Sequence, residues 1–317
     1  MEEYYIDNKK DVLKVPPFRD AHVHFTVDGR PASVEQLLKI KDTCVKHGVF
    51  AVTDMGHRNG IGLEARKILH GHIEILSAGF AIYKKKSHGS FLGIGITDKA
   101  GIKDAIKTIA EAGADFIKVI ASGIVCPKGG GLSTIVGFSL EEMNIVANEA
   151  RERNLDFACH ANADSFIRNA IKAGTSSIEH GFYISNETLH MMKEADVSWT
   201  PTVTPLQSIK GQLESPEKSY IEDTTEQHLA SINYAASIGV KLNVGTDSGS
   251  RDVYHGESFI DELLCFHKAG LSTEQILRAA CMSDDEIEKG NYLLVKKDFV
   301  IKRKIEGVYI NGNRFDS

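Results

Sequence analysis

Short apolar runs alternate with amphipathic stretches from residue 18 to about residue 280, and no other feature of this chain narrows its fold so far. A short apolar run between turn signals reads as a buried strand, while apolar residues at i, i+3 and i+4 read as a helix face. The runs predict strands over residues 18–24, 48–54, 74–80, 115–121, 156–160, 176–180, 197–202 and 241–247. Helical spacing predicts helices over 33–47, 100–112, 139–153, 164–173, 186–194, 223–238 and 258–269. Ser139 followed by Glu142 is a capping-box pattern, and Gly48, Gly113, Gly174, Gly239 and Gly270 stand where left-handed C-caps would precede strands.

Strictly alternating strand and helix points to a parallel α/β fold. The number and spacing of the elements predict a (β/α)8, TIM-like barrel over residues 18–282, close to the size of about 250 residues typical of that fold. A doubly wound open sheet is the competitor, but no G-x-G-x-x-G follows the first strand. Residues 205–220, polar and holding Pro205 and Pro216, read as a loop or lid over the barrel mouth. Near the end, 292–295 and 308–312 read as two short β segments outside the barrel.

Composition removes several function classes. The net charge is −6, and no run of one sign is longer than Lys84-Lys85-Lys86, so the basic face of a nucleic-acid binder is missing. No apolar run is long enough to span a bilayer, and Met1-Glu2-Glu3-Tyr4-Tyr5 has none of the apolar character of a secretory signal. Five cysteines without a C-x-x-C pair fit reduced thiols. These features lead us to expect a soluble cytoplasmic protein that acts on a small molecule, without nucleic-acid or membrane partners.

The residues that carry chemistry fall at strand ends. His22 and His24 stand two apart on the first strand, so their imidazoles reach the same face, as half a metal site requires. Lys118 lies in the apolar strand Asp115-Phe116-Ile117-Lys118-Val119-Ile120, where a lysine is out of place. The fifth strand ends in Cys159-His160, the sixth in Glu179-His180-Gly181 and the eighth in Gly245-Thr246-Asp247. Singly, His160 or His180 could be a hydrogen-bonded core histidine, Lys118 a snorkelling residue and Asp247 a helix cap. All six together, spread over five barrel strands, define an active face.

In that order, His22-Val23-His24, Phe116-Ile117-Lys118-Val119, Cys159-His160-Ala161, Ile178-Glu179-His180-Gly181 and Gly245-Thr246-Asp247 resemble the amidohydrolase superfamily. Ile120-Ala121-Ser122-Gly123, His88-Gly89, Phe182-Tyr183 and Tyr254-His255-Gly256 place the resemblance nearest the prolidase and imidazolonepropionase-like branch. The resemblance implies two divalent metal ions, with zinc the expected element. His22, His24 and Asp247 would hold one, His160 and His180 the other, and a CO2-derived carbamate on Lys118 would bridge them. A shared water of lowered pKa would attack the substrate carbonyl, with Asp247 moving the proton to the leaving amine. His88, Tyr183, Arg251 and His255 are the substrate-binding candidates, Tyr183 as a support for the oxyanion. Lys84, Lys85 and Lys86 read first as a solvated loop and second as an attraction for a carboxylate. Cys159 points away from the site by alternation, and Cys126 is not needed for it.

Members of this branch carry a β-sandwich built from both chain ends; here only residues 1–17 and 283–317 remain for it, a reduced β appendage. The exposed barrel flank this leaves would suit a homo-oligomer contact. The expected activity is metal-dependent hydrolysis of an amide or peptide-like C–N bond, in a dipeptide or an N-acyl amino acid. The alternatives are a deaminase or cyclic-amide hydrolase of the same superfamily, a decarboxylase or lyase on the same frame, and a non-catalytic binding relative. Against a mononuclear deaminase, Ala161-Asn162-Ala163 follows His160 where a catalytic glutamate would be needed, and Lys118 is present.

Overall fold

The computed structural model describes residues 5–7 and 11–315. Met1–Tyr4 of the N-terminal reading, and residues 8–10 and 316–317 of the appendage, lie outside the described residues. Two parallel sheets form the centre of an α/β fold. The first runs in the order Ser198–Thr200, Ser177–Tyr183, Phe157–Ala163, Ile117–Ile120, Ala81–Lys84, Gly93–Ile96. The second pairs Phe18–Val23 with Val49–Asp54 and Val49–Asp54 with Glu74–Ser77. Central strands are covered on both faces, as apolar runs without alternation require: every residue of Ile117–Ile120 is buried.

Residues 241–248 connect the two sheets. Trp199 N donates to Lys241 O and Asn243 N to Trp199 O, each at 2.8 Å. On the other side Ala21 N donates to Val244 O at 2.9 Å and Asp247 N to His22 O at 2.8 Å. The strand expected over 241–247 is therefore realised as isolated parallel bridges, Trp199 with Leu242 and Val23 with Ser248, rather than a continuous ladder. The strand expected over 74–80 is also split: it stops at Ser77, turns through Gly79 (φ +63°) and resumes at Ala81 in the other sheet.

Helices pack outside the strands with the faces their spacing foretold. Lys99–Glu111 buries Ile102, Ala105, Ile106 and Ile109, and its N-cap Asp98 accepts from Gly101 N. Both partners of the Ser139–Glu142 capping box are present at the start of Leu140–Arg151. Among the elements not foreseen are the helix Ile61–Ile68, the edge strand Gly93–Ile96 and the helix Thr204–Lys210. The last corrects the loop expected over 205–220. Pro205 sits in the first helical turn, where a missing N–H costs nothing, and the buried Glu262 takes the exposed donors: Val203 N and Thr204 N both donate to it at 2.8 Å. The following helix, Glu217–Ile238, starts six residues before the predicted 223.

Both chain ends meet in one five-stranded antiparallel sheet: Tyr5–Asp7, Val12–Val15, Tyr292–Lys296, Ile305–Ile310, Asn313–Arg314. Its buried face (Leu13, Val15, Leu293, Val295) joins the main core, and Phe299 from the same region stacks on Phe18 with ring centroids 6.1 Å apart.

Candidate metal centre and catalytic cavity

The first strand delivers His22 and His24 to one point, and the kinked segment after residue 246 brings Asp247 to meet them. His22 Nε2 lies 3.5 Å and His24 Nε2 3.4 Å from Asp247 Oδ1. One ligand atom from each of the three falls within 4.8 Å of the others, a spacing that suits one cation. Each ring is held from behind. His22 Nδ1 donates to Glu179 Oε2 at 2.7 Å, and His24 Nδ1 donates to Gly56 O at 2.9 Å. With Nδ1–H committed, the Nε2 lone pair of each faces Asp247, the tautomer a ligand needs.

His160 and His180 stand beside them. The His180 ring centroid is 4.5 Å from that of His160 and 4.8 Å from that of His22. Thr202 Oγ1 gives its proton to Pro201 O, so it accepts from His180 Nδ1 at 2.6 Å and leaves Nε2 bare. His160 is turned the other way: its Nε2 lies 3.4 Å from Gly123 O and 3.3 Å from Asn162 Nδ2, while its Nδ1 is free of hydrogen bonds. Burial pushes the pKa of His22, His160 and His180 far below the imidazole range, and the Lys118 charge adds to this for all three. They are neutral at pH 7, each with a lone pair to offer. His24 goes the other way: burial lowers it, but the Asp247 carboxylate outweighs that and raises it. Burial likewise works against the Asp247 charge and is outweighed by His24 and His22, so its pKa falls.

Backbone strain buys part of this convergence. His180 has φ +69°, Asp247 +57° and Thr202 +53°, left-handed values that cost about 1–3 kcal/mol each in a non-glycine residue. At His180 the effect is visible. Alternation along an ideal strand would send Glu179 and His180 to opposite faces, yet Glu179 hydrogen-bonds His22 and the His180 ring packs against the same ring at a tilt of 55°. The kink at His180-Gly181 turns two successive side chains inward.

Lys118 completes the group. Its side chain is 1% exposed, its Nζ has no hydrogen-bond partner, and burial lowers its pKa against the opposing charges of Glu179, Cys159 and Asp247. An unpaired buried ammonium is costly. A donor set of four imidazoles with bare nitrogens, one carboxylate and one orphaned amine fits a divalent-metal centre in which that amine is chemically modified.

A cavity of about 260 Å³ opens onto these ligands. His24, His160, His180 and Asp247 form its floor with Asn162, and His88 is in its wall. Leu206 and Ile209 reach it from the helix Thr204–Lys210, and Ile124 and Val125 from a hairpin-like loop closed by the Val125–Leu132 bridge. Of the other sequence candidates, His255 is buried and donates from Nε2 to His24 O at 2.9 Å, bracing the metal strand. It lines a second, larger cavity of about 730 Å³ together with Arg251, which is exposed, and His57. Tyr183 is not brought to the ligands. Its hydroxyl is paired with that of Tyr220 and donates to Gly131 O at 3.3 Å, tying down the tip of the 124–132 loop. Lys84 pairs with Glu142 at 2.9 Å, while Lys85 and Lys86 are solvated. Cys159 is fully buried in the core. Sequence reasoning gave no role to Glu179, Thr202, Gly56 or Asn162; only the position of Glu179 next to a site histidine hinted at one.

With this geometry in hand, comparison with known proteins gives the class. Residues 13–283 match the amidohydrolase family profile, and the chain belongs to the amidohydrolase family. Within it the neighbours are prolidase-like. Ochratoxinase of Aspergillus niger is 23% identical over 312 aligned positions, covering 84% of this chain. This chain spans only 63% of the length of that enzyme. An uncharacterized protein of Mycobacterium tuberculosis is 22% identical over 275 positions, covering 84% of this chain and 72% of that one. Among solved structures, a Xaa-Pro dipeptidase with methionine bound in its active site superposes with a TM-score of 0.79 at 19% identity. It covers 97% of this chain and 88% of the other. The A. niger ochratoxinase structure superposes with a TM-score of 0.78 at 20% identity, over 96% and 83% of the two chains. At these identities the superpositions speak for the fold.

Proposed function

We propose that this protein is a metal-dependent hydrolase of an amide or peptide-like C–N bond in a small molecule. We further infer that residues 18–282 close into a (β/α)8 barrel, flanked by the five-stranded antiparallel sheet that includes Val12–Val15 and Tyr292–Lys296. The bonds that residues 241–248 make to Trp199 on one side and to Ala21 and His22 on the other support the closure. The orphaned Lys118 amine among four bare imidazole nitrogens and Asp247 carries the functional reading.

His22, His24 and Asp247 would hold one divalent ion, His160 and His180 a second, and a carbamate on Lys118 both; zinc suits the imidazole-rich set. Two such ions, when bound, supply a polarised carbonyl and a water acidic enough to ionise near neutral pH. The chain's own part is positioning and proton transfer. Asp247 Oδ1 faces the ligands and lines the cavity, so it can take a proton from the attacking water and hand it to the departing nitrogen. Glu179 and Thr202 hold the His22 and His180 rings in the tautomer that keeps Nε2 free. Asn162 Nδ2 donates to Gly123 O at 3.0 Å and so steadies the acceptor that orients His160.

Elemental analysis of protein purified without chelator and with bicarbonate tests this directly. Two divalent ions per chain, lost together with amidase activity in His24→Ala and His180→Ala, are expected. A chain that binds none, even after added zinc, iron or manganese, would sink the proposal.

A further inference from the structure

The cavity over the ligands has a division of character that the hydrolase reading does not use. Facing the metal-binding floor, the smaller cavity is walled by Leu92, Ile124, Val125, Phe182, Leu206 and Ile209. No Lys or Arg is among the residues lining it, and Asp247 is its one charged side chain other than histidine. Charges gather instead in the larger cavity, where Asp28, Arg251 and Asp252 line the wall. The two cavities share His24, Phe91, Leu92 and Ser250, so a molecule at the ligands can extend into both.

The apolar wall is fixed rather than incidental. Val125, Phe182 and Leu206 form a small core of their own with Ile221, separate from the main core. Glu262 caps the helix that carries Leu206 and Ile209. The loop that carries Ile124 and Val125 is held at its tip, where Gly131 N donates to Tyr220 Oη at 2.6 Å and Tyr183 Oη to Gly131 O. These anchors come from different elements and hold both sides of the wall in place. A carboxylate pushed against this wall, away from the floor, would lose its water and meet no Lys or Arg in return. An alkyl or aryl group would be desolvated at a profit of about 0.8 kcal/mol per methylene.

We propose that the smaller cavity selects substrates whose scissile amide bears, on one side, a neutral apolar group. Its volume of about 260 Å³ suits a small alkyl or aryl group. The opposite side of the amide, polar or charged, lies toward Arg251 and Asp252. This assignment rests on the C–N hydrolase reading for its amide, but not for its apolar selectivity. Leu206, Ile209 and Ile124 are the residues that determine it.

Two matched pairs of compounds test it on the metal-loaded protein, each pair differing by a terminal methyl against a carboxylate. One pair is N-hexanoyl- and N-adipoyl-glycinamide; the other, with the amide reversed, is the glycyl amide of hexylamine and of ε-aminocaproate. In at least one orientation the neutral member should lead its anion on the order of 100-fold in kcat/KM, the penalty for an unpaired charge in an apolar site. Shortening hexanoyl to butanoyl should cost about fourfold per methylene. Ile209→Arg should reverse the preference, and Ile124→Arg, at a 39% exposed position, does the same test where folding is not at stake. Titration calorimetry with the same four compounds separates the two readings. Tighter binding of the neutral member without turnover of any would overturn the hydrolase reading and leave the cavity assignment standing. Equal or better binding of the anion in both orientations, or no binding of any, would overturn the cavity assignment.

Discussion

Replacing Lys118 by Met removes one amine from a site where it has no partner, and the consequence depends on what that amine carries. Nζ is buried and makes no hydrogen bond. Leaving a buried polar group unsatisfied costs about 1–3 kcal/mol, and more when it is charged. Met keeps a flexible apolar stem of similar length, so the change deletes the penalty without opening a cavity. In protein stripped of metal, Lys118→Met should therefore be more stable than wild type by about 2 kcal/mol. At a urea slope of about 2 kcal/mol per molar, that moves the midpoint up by about 1 M. With metal and bicarbonate the order should invert. An ion held by the modified lysine at a hundred times its dissociation constant adds about 2.7 kcal/mol to wild type, and the variant loses much of that gain. Urea titrations followed by tryptophan fluorescence, with and without chelator, read all four states; Trp199 is fully buried and is the single tryptophan. If Lys118→Met lost stability equally in both conditions, Lys118 would have a structural partner and the carbamate would lose its basis.

Asp247→Asn should keep most of the metal while kcat falls about 10²–10⁴-fold, the share of a general acid–base group; equal loss of metal and turnover would make Asp247 a ligand alone. Glu262 is raised to about 7 by burial, against the hydrogen bonds it accepts. Its folded pKa lies above its unfolded one, so its contribution is full below about pH 4.5 and is lost as pH rises through 7. That loss amounts to about 3 kcal/mol. Glu262→Gln should flatten this slope of stability with pH, and an unchanged slope in denaturation at pH 5 and 8 would refute it. Glu179→Gln keeps the shape but weakens the hold on His22 Nδ1–H, so metal affinity should fall about 10–100-fold. Competition with a calibrated chelator measures it, and no change would remove Glu179 from the site. Gly249→Ala should unfold or empty the site: a methyl there would sit 2.0 Å from His24 O, at φ +91°. A variant with wild-type melting temperature and metal content would contradict the close approach.

Much of the site was legible because its signals are local. His22 and His24 reach one point through the period of a single strand, and Lys118 stood out because an apolar strand has no use for an ammonium. His160, His180 and Asp247 were found by their place at strand ends, a rule of the fold rather than of any contact. Where the local rule fails, so did the reading. Alternation alone would put Glu179 and His180 on opposite faces, and a left-handed φ at His180 turns both inward. The 205–220 stretch looked like a loop because it is polar and holds two prolines. The Glu262 side chain, distant in sequence, caps it into a helix.

The sequence by itself determined which residue types stand on which strand and therefore the α/β class and the set of residues proposed to hold metal. Periodicity and composition are properties of neighbours along the chain. Only the tertiary structure decided what surrounds that set. Glu179 and His22 are 157 residues apart and meet through the arrangement of strands. Tyr183, expected near the substrate, is instead bonded to Tyr220 on a helix whose start was itself misjudged. The apolar wall of the cavity is assembled from the 124–132 loop, Phe182 and a helix at 204–210. None of these apolar residues differs in sequence from ordinary core positions. What makes them a binding surface is the space they leave between them, and that space exists only once the strands and helices have packed.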